Sequence, residues 1–82
     1  MSEEKPIVLF RDVTSNNIKK LGHKKDTLFV VFHNESCYEY FPVSIQDYEK
    51  LLGAQSIGAH FHNKIVKNKS IKHKSSKAYE PS

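Results

Sequence analysis

The chain has 82 residues, 38% hydrophobic and 27% charged, with a formal net charge of +4. A single small domain of this length hides only ~60% of the surface its unfolded chain exposes, which favours a shallow surface site over a buried catalytic cavity. One cysteine, Cys37, excludes an internal disulfide, and the apolar runs at 7–10 and 28–32 are far shorter than the ~20 residues of a membrane span.

The start, MSEEKP, is acidic and lacks a signal-peptide core, so a cytoplasmic protein without membrane contact is expected. Pro6 then opens Ile-Val-Leu-Phe, which reads as a strand whose pattern can continue to Val13. Residues 14–17, Thr-Ser-Asn-Asn, are turn and cap formers. Residues 18–23 should be extended and lead through the charged turn 23–26 into TLFVVFH at 27–33. That run is rich in β-branched and aromatic residues and is the strongest strand.

Asn34-Glu35-Ser36 reads as a three-residue loop before the strand CYEYF at 37–41. Such a loop sets Phe32 opposite Tyr38 and Val30 opposite Tyr40. Leu28, Val30, Phe32, Tyr38 and Tyr40 then share the face that meets the helices. Phe29, Val31 and Phe41 lie on the other face, where a solvated sheet would show polar residues. Either the segment 7–10 covers them or a protein partner does, and the segment is the favoured cover.

Ser44, with Asp47 three residues on, caps a helix carrying Ile45, Tyr48, Leu51 and Leu52 on one face. Gly53 stands where a left-handed cap is wanted. Ser56 caps a second helix, with Ile57, Phe61 and Ile65 recurring every four residues to about 67–68. The expected domain spans 1–66. It is α+β and two-layered, with an antiparallel sheet of three strands, or four with the N-terminal one, and two helices on one face. Residues 67–82 show no periodic apolar face and are expected to form a flexible basic tail. Charge divides in the same way. Residues 1–63 carry seven Lys/Arg against eight acids, and residues 64–82 carry six lysines against Glu80, a net of +5.

The chain resembles the KTSC domain, a module named for the C-terminus of certain lysyl-tRNA synthetases that also occurs free-standing in bacteria and phages. The resemblance rests on Ser15, Asn17 and Ile18, Leu28-x-Val30-x-Phe32, Tyr38-x-Tyr40, Val43, Tyr48, Leu51 and Ala54. It continues in Ser56-x-Gly58-x-x-Phe61 with Asn63 and Ile65, and so runs from about Val13 to Ile65. His23 replaces a frequent Tyr, Glu35 stands at a hairpin position usually given to Gly, and Ser44 replaces a common Pro. The resemblance implies no established activity. The placement beside a tRNA synthetase implies RNA as a partner.

Several residues have candidate chemistry. The helix start at Ser56 and Gly58 offers free N–H groups to an anion or nucleotide, with His60 and Asn63 nearby. Its plainer role is an N-cap with a close-packed glycine. Tyr38 and Tyr40 are expected in the core, with Ser15 or Asn17 as partners for their hydroxyls. His60 and His62 point apart on a helix and have no third ligand at zinc spacing, so no metal and no cofactor are expected. No nucleophile elbow or oriented base marks an enzyme. The expected function is a non-catalytic nucleic-acid-binding accessory protein. Ser15, Asn16, Asn17, Ser56, Gly58, His60 and Asn63 form its polar site, and Lys64, Lys67, Lys69, Lys72 and Lys74 hold RNA or another polyanion. A protein-interaction module using Phe29, Val31 and Phe41, or a small-nucleotide binder at Ser56, are the alternatives.

Overall fold

A computed structural model describes residues 8–79 of the chain. A five-stranded antiparallel sheet runs in sequence order, β1 (Arg11–Asp12), β2 (Ile18–Lys24), β3 (Thr27–Phe32), β4 (Cys37–Phe41) and β5 (Lys72–Ser75). Between β4 and β5 lie α1 (Ile45–Leu52) and α2 (Ile57–Phe61), the second continuing as a π-helical turn over His62–Val66. The α+β class is as expected. The strand count is larger, because the chain returns to the sheet after the helices.

The sheet's two faces follow the side-chain alternation. Ile18, Leu21, Leu28, Val30 and Tyr40 point to the helices and join Val43, Tyr48, Leu51, Phe61 and Ile65 in one buried core. Phe32, Tyr38 and Ile57 pack against it, half-buried. Ile45, expected on the same helix face, is instead exposed. The expected hairpin register differs by a fixed amount: Val30 pairs with Tyr38 and Leu28 with Tyr40. The loop is His33-Asn34-Glu35, closed by Phe32 N–H donating to the Ser36 carbonyl at 2.8 Å and Glu35 N–H to the Phe32 carbonyl at 2.9 Å. It lies one residue earlier on both strands than expected, so pairing shifts while the faces are kept. Glu35 takes the left-handed conformation, φ 73°, that its place in the turn requires.

On the second face Phe29, Val31 and Cys37 are buried, outside the main core. The N-terminal segment covers part of this face. Phe10 packs edge-on to Phe29 at 6.4 Å between ring centres. Val8 and Phe10 lie so close over Gly22 that a β-carbon there would meet Val8 Cγ1 at 2.7 Å. The covering residues 8–10 are not a strand, contrary to the sequence expectation; only Arg11–Asp12 pairs, with β2. Ile7 lies outside the described residues.

Both serine caps form. Ser44 Oγ accepts from Asp47 N–H at 3.1 Å, and Ser56 Oγ from Ala59 N–H at 3.3 Å. Gly53 differs, closing α1 with φ −89° rather than a left-handed turn. Its N–H reaches the Glu49 carbonyl at 3.1 Å and Ala54 N–H the Leu51 carbonyl at 3.2 Å, so the last turn tightens without a positive φ.

The lysine-rich segment expected to be a free tail supplies β5, which pairs Tyr38 with Ser75, Glu39 with Lys74, Tyr40 with His73 and Phe41 with Lys72. Three contacts hold it. Ile71 packs on the core, the His73 ring stacks on Tyr40 at 5.6 Å, and Ser76 N–H donates to the Cys37 carbonyl at 2.9 Å. Beyond the strand, Tyr79 lies edge-on to Phe10 at 5.5 Å and its hydroxyl donates to Glu35 at 3.1 Å.

Candidate functional site

The fold divides the expected site residues into two groups. Ser15, Asn16 and Asn17 meet Ser56 and Gly58 in an open cleft of about 430 Å³ lined by residues 14–17 and 55–59. The two serines are held by local bonds. Ser15 Oγ accepts from the N–H groups of Asn17 and Ile18 at 3.3 and 3.4 Å, while Ser56 Oγ caps α2. The loop is tied to the β3–β4 loop by the His33 ring, whose Nε2–H donates to the Ser15 carbonyl at 2.8 Å, and by His33 N–H donating to Asn17 O at 3.2 Å.

A β-carbon on Gly58 would stand 3.3 Å from Ser15 Oγ, so the glycine keeps the two walls close. No charged side chain lines this cleft among the described residues. His60 and Asn63 are not among its lining residues. The hydroxyls of Tyr38 and Tyr40 do not bond to Ser15 or Asn17 among the described residues; Ser15 serves the backbone of its own loop instead. Tyr40 is only 9% exposed, and burial raises its phenol pKa above the ordinary value.

The lysines lie elsewhere. Lys64 is exposed on the π-helical turn, and Lys67 and Lys69 are exposed on the connection that follows. Lys72 and Lys74 stand on one face of β5, the face away from the helices. There they border a second cleft of about 330 Å³ with Thr27, Glu39, Phe41 and His73. Lys74 Nζ is 4.0 Å from Glu39 Oε1, and Phe41, directly across the strand pair from Lys72, is 54% exposed.

This second cleft was only half legible. Its lysines were singled out in the sequence, but Phe41 was assigned to an apolar patch with Phe29 and Val31. The fold buries those two, Phe29 against Phe10 of the N-terminal segment, and leaves Phe41 at the open end beside β5. A protein interface built on all three residues loses two of them. The signal for the second cleft would have been that Lys72 and Lys74 are two apart, the spacing of one strand face.

Other ionisable groups serve the scaffold. Lys19 donates to Glu35, and that hydrogen bond, aided by Tyr79, holds the Glu35 carboxyl below its ordinary pKa. Lys20 does the same for Asp12. Burial pushes the Cys37 thiol up, away from the reactive thiolate. His23 stacks on Tyr48 at 5.3 Å and its Nε2–H donates to the Val43 carbonyl at 2.6 Å. Among the described residues no cluster of three His, Cys, Asp or Glu is placed to hold a metal, and no helix is long and apolar enough to cross a membrane.

No curated protein matches the chain. Its fold is similar to the crystal structure of a KTSC domain protein from Yersinia pestis. That likeness has a TM-score of 0.73 at 22% identity, over 84% of this chain and 97% of the other. The sequence model of the KTSC domain matches residues 14–69, which takes in both walls of the first cleft, the sheet from β2 to β4 and both helices. The chain therefore belongs to the KTSC domain family.

Proposed function

We propose that this KTSC domain is a small, non-catalytic, cytoplasmic accessory protein of bacterial or phage type that binds nucleic acid, with RNA as the ligand, through its basic C-terminal third. The observation that carries this reading is the pairing of a lysine-rich strand along β4. Lys72 and Lys74 become fixed, exposed charges on one sheet face, next to an exposed aromatic ring. Lys64, Lys67 and Lys69 lie exposed on the way into that strand. Phosphates are neutralised by such lysines without sequence reading, and the resulting affinity depends on salt.

The resemblance to modules at the C-terminus of lysyl-tRNA synthetases supports RNA. In the first cleft the two serine hydroxyls serve the backbone, Ser15 within its own loop and Ser56 at the cap of α2. The uncharged lining of this cleft makes it the lesser candidate for phosphate. Fluorescence anisotropy with a labelled single-stranded RNA tests the proposal. Changing Lys67, Lys69, Lys72 and Lys74 together to Gln should weaken binding at least tenfold at low salt with the fold unchanged by circular dichroism. Equal binding by both chains would refute it.

A further inference from the structure

The geometry points to a single-stranded nucleic acid as the ligand, with one base stacked on Phe41 and the backbone carried past Lys72 and Lys74. This inference rests on the nucleic-acid reading above and narrows it to a strand type and a contact residue. Phe41 belongs to the sheet face that the N-terminal segment covers over β2 and β3 but leaves open beside β5. Phe41 is 54% exposed, although Phe29 and Val31, further along the same sheet face on β3, are buried.

Across the strand pair from it is Lys72, and opposite partners in an antiparallel ladder hold their β-carbons ~4.5–5.5 Å apart. Lys74 lies two residues further on the same face, ~6.8 Å along the strand. Glu39 faces Lys74 at 4.0 Å and offsets part of its charge, which leaves Lys72 as the stronger phosphate contact beside the ring. An aromatic face flanked by cations is a stacking platform for an unpaired base. A duplex keeps its bases inside the helix, so it can use the lysines but not Phe41.

The test compares one labelled 12-nucleotide RNA, single-stranded and annealed to its complement, against the wild-type chain and Phe41→Ala, Phe41→Leu and Phe41→Tyr. Ala and Leu should each weaken single-strand binding about tenfold without changing the salt dependence. Tyr should retain wild-type affinity, and duplex binding should be the same for all four. Phe41 is exposed, so the variants keep the core, and thermal melts check this. If Ala and Leu bind the single strand as wild type does, or weaken the duplex equally, the stacking inference falls while the nucleic-acid reading stands. If the wild-type chain binds neither RNA, or binds a poly-glutamate peptide and no RNA, both fall.

Discussion

Gly22→Ala tests how the second sheet face is covered. Gly22 lies on β2 opposite Phe29, beneath the N-terminal segment. A β-carbon there would stand 2.7 Å from Val8 Cγ1, 3.2 Å from the Leu9 carbonyl oxygen and 3.2 Å from Phe10 Cδ1. The first distance is shorter than atoms tolerate, and the second involves backbone, so the segment must move. Moving it uncovers part of Phe10 and Phe29, and full burial of such a side chain stabilises by ~1.5–3 kcal/mol. Alanine in a strand returns roughly 0.5–1 kcal/mol of backbone entropy relative to glycine. The net expectation is a loss of about 1–2 kcal/mol in urea unfolding. The decisive comparison is the same substitution in a chain lacking residues 1–10. With no segment to displace, the cost should vanish and become a gain of ~0.5–1 kcal/mol. The same loss in both chains would refute the reasoning.

The β2–β3 turn should be improvable. Lys25 and Asp26 both have positive φ, 50° and 60°, between the paired residues Lys24 and Thr27, as in a two-residue type I′ turn. Lys25→Asn with Asp26→Gly should raise the melting temperature by ~4–8 °C, the equivalent of about 1 kcal/mol; an unchanged or lower value would contradict the turn geometry. Stability should also fall in acid. Glu35 and Asp12 have carboxyl pKa values lowered by their lysine partners, so their contribution is present above the unfolded-state values and is lost as pH falls through the folded ones. Urea midpoints should therefore decline below about pH 4.3, and less steeply in Glu35→Gln. An identical acid limb in that variant would argue against the Lys19–Glu35 bond.

The parts of this fold legible in the sequence were those that rest on periodicity. Alternation along β3 and β4 assigned Leu28, Val30 and Tyr40 to the core and Phe29 and Val31 to the opposite face. Even a loop misplaced by one residue on each strand preserved that division, because pairing then shifts by an even number. What failed depended on a single residue taking an unfavoured conformation, as Glu35 does at φ 73° where no glycine marks the turn. The fifth strand was hidden for another reason. Lys-His-Lys-Ser has no apolar alternation, and all four residues are exposed. Its position is fixed by β4 and by Ile71, His73 and Tyr79 around it. The polar cleft was legible as two motifs, residues 15–17 and Ser56 with Gly58, and the fold brings them together. That no lysine among the described residues lines it was not legible, since the path of residues 67–75 after the helices decides it.

The central claim, that the basic C-terminal third holds nucleic acid, is tested most directly by the salt dependence of single-stranded RNA binding to the wild-type chain. Each neutralised phosphate contributes ~0.7 to the slope of log K against log salt on a single strand. With six lysines between residues 64 and 77, engagement of three to six predicts a slope of roughly −2 to −4. A slope near zero, or no binding at 50 mM salt, would contradict the account.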